Sequence, residues 1–185
     1  MRGPFAFDLP AKSKRLTDKE YVNLVNRIRG NFISYVAVLD STLTMIITDF
    51  FLRDKQEIAL WAGTVLDDER VSFGTKSIWF SKIISNHPAF KTKIDKETRK
   101  KISDRLSKIR ILRNEFAHNY AYNKQVMPRD VADRVITLYD FEEGITKPKK
   151  FKMSDIMDLI DDPWLPRHLE KVTVLCRKIR ENDTY

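Results

Sequence analysis

The strongest constraint on the fold of this chain is one long helical pattern that begins at Thr17 and continues past residue 50. Thr17 and Glu20 form a capping-box pair at its start. After Ile33 the apolar residues spread beyond one stripe, so we expect this half of the helix to lie in a core or a subunit interface. The apolar residues recur in steps of three and four, the spacing of one helix face: Val22, Val25, Ile28, Phe32, Val36, Leu39, Leu43, Ile46 and Phe50.

The same run is long enough to span a bilayer between Phe32 and Phe51, but Asp40 and Asp49 interrupt it. An aspartate at the centre of a membrane helix costs roughly 2.5–3.5 kcal/mol on insertion scales. We therefore interpret the run as a buried helix and expect no membrane contact. The start of the chain lacks the apolar core of a signal peptide, and the single cysteine, Cys176, fits a reducing compartment. We expect a cytoplasmic protein.

Three further helical patterns follow the first one. Asp54 caps a second helix over 55–65, a third helix covers 72–85, and a fourth runs from about residue 95 into the segment that ends near 120. The last third of the chain is less regular. There we predict a short helix over 128–135, a short strand or extended segment over 136–139, a basic linker at 147–150, a helix that Ser154 caps, a rigid turn over 163–166 and a final helix to about 181.

Few segments of the chain have the alternating pattern of a strand, so the predicted fold class is all-α, a helical bundle with a long first helix. We divide the chain into a mobile or loosely docked arm, 1–16, and a single domain, 17–185. Within the domain we expect a core over 17–123 and a C-terminal extension over 124–185.

The fourth helical pattern carries nearly all of the net charge. From residue 91 to residue 113 there are ten basic and three acidic residues, a balance of +7 against +8 for the whole chain. A basic helix of this kind favours an anionic partner such as RNA, although a solvated surface gives the same pattern. The candidates for contact with a nucleic-acid backbone are Lys100, Lys101, Arg105, Lys108 and Arg110.

This helix ends in the segment Arg-Asn-Glu-Phe-Ala-His-Asn-Tyr, residues 113–120, which holds the candidate catalytic residues Arg113, Asn114 and His118. Arginine matches phosphate oxygens with a fork of donors, and histidine transfers protons near neutral pH. Arg113 and His118 are five residues apart, about 140° around an ideal helix. They therefore converge only if Arg113 curls round, if the helix ends near His118, or if a symmetric dimer brings two copies together. The chain has no phosphate-binding glycine loop and no zinc-binding spacing, so we expect no cofactor and no metal.

Each of these residues also has a purely structural explanation. Arg113 lies on the apolar stripe of its helix, where Asp40 of the first helix is a suitable partner for a buried ion pair. His118 can complement the negative end of the helix dipole. Tyr120 is either a packed aromatic or a residue that lines the site.

The segment 113–120 resembles the signature of the HEPN superfamily, in which an arginine, often followed by a polar residue such as Asn114, precedes a histidine by four to six residues. The resemblance implies a dimeric helical bundle and, in many members, a metal-independent ribonuclease of toxin–antitoxin, phage-defence or RNA-processing systems. Tyr120 extends the likeness to the form whose tyrosine is modified by a nucleotidyltransferase antitoxin, so an antitoxin partner is implied as well.

Residues 30–120 also resemble the MtlR-like (mannitol operon repressor) helical proteins, through the segments 39–43, 71–76 and 108–118. That resemblance implies a non-enzymatic regulator or protein-interaction module. We therefore predict a homodimeric, HEPN-like endoribonuclease or RNA-binding protein, with the non-enzymatic module as the alternative. A DNA-binding repressor is a third interpretation, but the chain has no clear helix-turn-helix pair.

Overall fold

The computed structural model describes residues 9–11, 16–52, 54–68, 71–118, 134–138 and 149–182, without the side chains of Lys55, His118 and Asn182. Helices make up most of these residues, and the strands among them form one small sheet. The predicted all-α fold class and the long first helix are confirmed.

The helices and strands follow one another along the chain in a simple order. They are α1 (Asp18–Phe51), α2 (Lys55–Trp61), a π-helical segment (Ala62–Leu66), α3 (Phe73–Asn86), α4 (Pro88–Lys93), α5 (Lys96–His118), β1 (Val135–Leu138), β2 (Lys149–Lys152), α6 (Met153–Asp161) and α7 (Trp164–Asn182). The two strands are antiparallel, with Val135 opposite Lys152 and Leu138 opposite Lys149.

The first helices begin where their capping residues predict. The Glu20 side chain accepts a hydrogen bond from the Thr17 N–H (2.9 Å), and the Thr17 hydroxyl accepts one from the Glu20 N–H (3.3 Å). This reciprocal pair is the predicted capping box, and it satisfies two backbone donors that have no partner within the helix. The Asp54 carboxylate caps α2 by accepting from the backbone N–H groups of Gln56 and Glu57.

Several predictions for the last third of the chain are wrong. Of the predicted turn over 163–166, Pro163 lies in a turn, but residues 164–166 begin α7. Pro166 fits there because it lies in the first helical turn, where a missing N–H breaks no helical hydrogen bond. Ser154 does not cap α6, since Lys152 occupies the N-cap and Ser154 lies inside the helix.

The predictions for residues 128–150 agree with the structure at one strand and lie partly outside the described residues. β1 confirms the predicted strand at 136–139, one residue earlier in the chain. The predicted linker at 147–150 contributes its last two residues to β2, and its first two lie outside the described residues. Of the helix predicted over 128–135, residues 128–133 lie outside the described part, while Val135 begins β1.

The chain divides into two compact units: unit 1 comprises residues 1–36 and 111–163, and unit 2 comprises 37–110 and 164–185. Each unit takes residues from both the predicted core and the predicted extension, and that domain division stays a prediction. Of the predicted arm, 1–16, residues 9–11 and 16 are described. There the Ala11 carbonyl accepts a hydrogen bond from Arg134 (3.1 Å), so this part of the arm is docked on unit 1.

In unit 1 the sheet and the first half of α1 share an apolar core. The hydroxyl of Tyr21 on α1 donates to the Val135 carbonyl of β1, so this polar group is satisfied although the tyrosine is buried. The buried residues of this core include Val25, Ile28, Phe32, Phe116, Ile136, Leu138, Ile156 and Ile160.

In unit 2 both aspartates of the apolar run are paired with cations from other helices. The Lys76 ammonium of α3 lies 2.7 Å from Asp40, and Arg180 of α7 lies 2.9 Å from Asp49. Lys76 is only 2% exposed, so the ion pair with Asp40 compensates for the loss of water around its charge. The buried apolar residues around these pairs include Leu39, Leu43, Ile46, Phe80, Ile84, Ile102, Leu106 and Val172.

By length and composition alone, α1 also qualifies as a helix that crosses a membrane. Mean hydropathy reaches 1.4 over its most apolar window, of which 44% is buried inside the protein. The ion pairs of Asp40 and Asp49 explain how an apolar helix accommodates two carboxylates within a protein core.

We expect the substitution Asp40→Ala to lower the free energy of unfolding by about 3 kcal/mol, because it leaves the Lys76 ammonium buried without its nearest carboxylate. Asp67, which lies 3.9 Å from Lys76, limits the loss. Urea denaturation measures the change, with the exposed Asp104→Ala as the matched control. A loss below about 1 kcal/mol would show that the ion pair does not hold α1 to α3.

Candidate nucleic-acid site at the end of α5

Phe116 fixes the last turn of α5 within unit 1. Its ring packs edge-to-face on Phe32 of α1, with the ring centroids 5.4 Å apart, and lies 6.3 Å from the ring of Phe151 in β2. Phe116 is 2% exposed. Aromatic contacts of this kind are worth about 0.5–1.5 kcal/mol beyond the burial of apolar area. The motif-bearing turn is therefore attached to α1 and to the sheet through one buried ring.

Arg29 of α1 binds the same turn through its backbone. The Arg29 guanidinium donates to the Phe116 carbonyl (2.7 Å), and it lies 5.9 Å from the centre of the Phe116 ring. The carbonyls of a last helical turn have no intrahelical partner and carry the negative end of the helix dipole, so a cation stabilises them. Arg29 was not predicted to have a role. Its position one turn before Phe32 on the long first helix does place it beside the residue on which Phe116 packs.

Arg113 and Asn114 point away from the core. Arg113 is half-buried, Asn114 is exposed, and the Arg113 guanidinium donates to the Asn114 side-chain oxygen at 3.3 Å. This contact is long for a hydrogen bond, so the guanidinium remains available to a phosphate. The side chain of His118 and the whole of Tyr120 lie outside the described residues, and their roles stay predictions.

Asp40, the predicted structural partner of Arg113, pairs with Lys76 instead. Lys76 is nearly fully buried and needs a carboxylate, whereas Arg113 keeps contact with water and accepts a neutral partner, Asn114. Sequence reasoning missed this lysine, because nothing in the spacing of α3 distinguishes it from a solvated lysine.

Glu115 neutralises one of the cations near the motif. Lys149 of β2 donates to its carboxylate at 2.6 Å. Lys149 is half exposed, so we attribute little stability to this ion pair. The ion pair partly neutralises the carboxylate of Glu115, which lies two residues after Arg113 in the sequence.

The five basic residues predicted to contact nucleic acid do not form one surface. Lys100, Lys101 and Lys108 are exposed on α5, within about 100° of one another around the helix. Arg110 lies about 160° away from Lys108. Its side chain passes over Gly74 of α3, where a Cβ atom would come within 3.0 Å of the Arg110 Cδ.

Lys101 and Arg105 lie over the ring of Trp164, at the start of α7. The Lys101 ammonium is 4.5 Å and the Arg105 guanidinium carbon 5.1 Å from the centre of the indole ring. The ring of His168 stacks on the same indole, with centroids 4.0 Å apart and planes inclined by 28°. From the sequence, Trp164 is interpreted as a core or interface anchor and His168 as a core or surface residue, and neither is predicted to lie beside the basic residues of α5.

The described residues provide little for a metal or a nucleophilic thiol. Among them, no group of three or more His, Cys, Asp or Glu side chains has the arrangement of a metal site. Burial, with a smaller contribution from the charge of Asp49, raises the pKa of the Cys176 thiol to about 12. This thiol therefore stays protonated and is a poor nucleophile.

Comparison of the chain with protein-family models, with curated proteins and with solved structures gave no match. The resemblances to the HEPN superfamily and to the MtlR-like proteins stay predictions from the sequence.

We expect Arg29→Ala to loosen the last turn of α5, because the Phe116 carbonyl loses a charged donor. The cost is about 1.5–3 kcal/mol for a hydrogen bond to a charged group. Hydrogen exchange measures it as faster exchange of the amides at 114–118, while amides near Leu106 exchange as before. Asn26→Ala, an exposed site on the same helix, is the matched control. Unchanged exchange at 114–118 in the Arg29 variant would show that Arg29 does not hold the helix end.

Proposed function

We propose that this chain is a HEPN-like, metal-independent endoribonuclease whose active residues lie at the end of α5. The observation that carries the proposal is the last turn of α5, where Phe116 is buried and Arg113 and Asn114 face outward next to the position of His118. A turn that is fixed on one side and open on the other presents functional groups to a large substrate without first having to order them.

Each candidate residue has a distinct role in cleavage. Arg113 binds the non-bridging oxygens of the scissile phosphate and stabilises the charge that develops there. The 2′-hydroxyl loses its proton to a base, and its oxygen forms a bond to phosphorus. The bond to the 5′-oxygen breaks, and that oxygen takes a proton from an acid. His118 performs one of these proton transfers, and Asn114 orients the phosphate or the histidine.

The second proton transfer calls for a second copy of the chain. Arg113 and His118 lie about 140° apart on an ideal helix, so one copy places them poorly for a single phosphate. A two-fold axis beside the end of α5 brings a second arginine and a second histidine to the same cleft. The homodimer is therefore part of the proposal. An antitoxin that covers this cleft or modifies Tyr120 is the partner that the HEPN resemblance implies.

We expect the purified chain to cleave RNA in EDTA, and His118→Ala to lower the rate about a hundredfold or more because proton transfer is lost. Arg113→Ala removes the phosphate contact and lowers the rate similarly, while Arg113→Lys keeps the charge without the fork and loses less. Lys19→Ala, an exposed cation on α1, is the matched control. Equal cleavage by all four variants and the parent chain would exclude the proposed site.

A second candidate function, a non-enzymatic interaction module, is favoured by an apolar groove in unit 2. The groove has a volume of about 570 Å³ and lies between the end of α1, the α2 region and α3. Three large aromatic residues along it remain exposed: Phe51 (63%), Trp61 (47%) and Trp79 (38%). Exposed aromatic residues that lie together mark protein interfaces.

We propose a second copy of this chain as the occupant of the apolar groove. Two copies with a net charge of +8 each repel one another over most of their surface. The groove has Lys82 as its one charged lining residue among those described, so two copies meet there with little repulsion. An interaction module of this kind has no cleavage activity.

We expect Trp61→Glu and Trp79→Glu each to shift the chain from dimer to monomer, because a carboxylate in an apolar interface loses its hydration. Sedimentation velocity over a range of protein concentrations measures the mass. Ile33→Glu, which places the same charge on an exposed apolar residue outside the groove, is the control. A dimer that survives both tryptophan substitutions would place the interface elsewhere, as would a dimer that only Ile33→Glu breaks.

A further inference from the structure

A second groove in unit 2 has the composition of a nucleotide-binding surface. It has a volume of about 750 Å³ and lies between α4, the first turns of α5 and α7. Its apolar lining includes Ile102, Val174 and Ile179, and its charged lining includes Lys93, Lys171 and Lys178. A groove with apolar walls and a few cations matches a ligand that carries both flat apolar rings and phosphates.

The groove keeps a positive charge. Three lysines and one carboxylate, Asp95, are its charged lining residues, which leaves a balance of +2. Asp95 caps α5, and its carboxylate accepts hydrogen bonds from the Thr98 N–H (2.8 Å) and hydroxyl (2.7 Å), which hold its pKa below the usual range. Within the described part of the chain, none of the three lysines forms an ion pair, so their charges are available to an anion.

One face of α7 carries three of the polar residues that line the groove. His168, Lys171 and Lys178 follow one another at intervals of three and seven residues, so all three lie on one side of the helix. Lys171 and Lys178 are separated by about 10 Å along the axis. Two cations held this far apart along a helix suit separate phosphates of one strand better than one compact anion.

His168 lies between this groove and two basic residues of α5, Lys101 and Arg105. Its ring lines the groove and stacks on Trp164, while its Nδ1 lies 2.7 Å from the Trp164 carbonyl. The hydrogen bond and the stacking fix the plane of the imidazole. Lys101 and Arg105 lie over the same indole ring, so cations continue from the groove onto α5. A fixed aromatic plane beside cations is the arrangement on which unpaired bases stack.

We propose that the groove between α5 and α7 binds single-stranded RNA, with phosphates on Lys93, Lys171 and Lys178 and a base against His168. The proposal rests on the ribonuclease function and specifies its substrate as unpaired RNA. A duplex fits poorly, because its bases are stacked on one another and unavailable to the imidazole. The bound stretch is short, on the order of four nucleotides.

The test measures binding apart from cleavage. A fluorescein-labelled, 2′-O-methylated single strand lacks the nucleophile for the proposed reaction, so its anisotropy reports binding alone. We expect Lys171→Ala/Lys178→Ala to weaken binding about tenfold or more and to reduce the slope of log K against log salt by about 1.4, for two lost phosphate contacts. His168→Ala weakens binding by about fivefold or more with little change of slope, because stacking is not ionic.

The controls separate this proposal from the ribonuclease itself. Lys19→Ala/Lys152→Ala removes two exposed lysines outside the groove, and we expect its binding to match that of the parent chain. Equal binding by the two double variants would overturn the groove as the RNA site, even if the parent chain cleaves RNA. Loss of binding in the Lys171/Lys178 variant alone supports the groove, even if the parent chain cleaves nothing. A duplex that binds as tightly as the single strand would overturn the proposed substrate.

Discussion

Two carboxylates within the apolar run of α1 determine how unit 2 packs. Asp40 and Asp49 both lie on α1, and a carboxylate that loses part of its hydration is stabilised by a cation beside it. Lys76 brings α3 to the first, and Arg180 brings α7 to the second. The position of α7 matters for the RNA-binding site that we propose, because α7 forms one wall of that groove.

The end of α5 is held in place by apolar packing and a charged hydrogen bond rather than by buried ion pairs. Phe116 attaches it to α1 by apolar packing, and Arg29 donates a hydrogen bond to the Phe116 carbonyl. Together these contacts leave Arg113 and Asn114 on the open side of the last turn. A rigid helix end suits a metal-independent nuclease, which relies on positioned side chains to stabilise the phosphate and to move protons.

Features that depend on neighbouring residues could be predicted from the sequence. The capping box at Thr17 and the cap at Asp54 follow from short-range hydrogen bonds, and α1 follows from its periodicity. The short helix α4 went unpredicted, because six residues are too few to establish a period. The separation of Arg110 from Lys108 could have been found from helical geometry alone.

Features that depend on tertiary contacts could not be predicted in this way. Arg113 was the predicted partner of Asp40, and only the packing of α3 on α1 shows that Lys76 takes this place. The clustering of Trp164 with Lys101 joins residues more than sixty positions apart, and a prolyl turn had been predicted where α7 begins. The α7 residues that line the groove proposed for RNA were not predicted, because the other walls of that groove come from segments far away in the sequence.

The identity of the ends that cleavage leaves on RNA tests the central claim most directly. The proposed attack by the 2′-oxygen requires a 2′,3′-cyclic phosphate on one product and a 5′-hydroxyl on the other. Mass spectrometry of a defined single strand, incubated with the purified chain in EDTA, distinguishes these ends from all others. Cyclic phosphate ends that disappear with His118→Ala are the result that we predict. An intact strand, or products with 3′-hydroxyl and 5′-phosphate ends, would contradict the assignment.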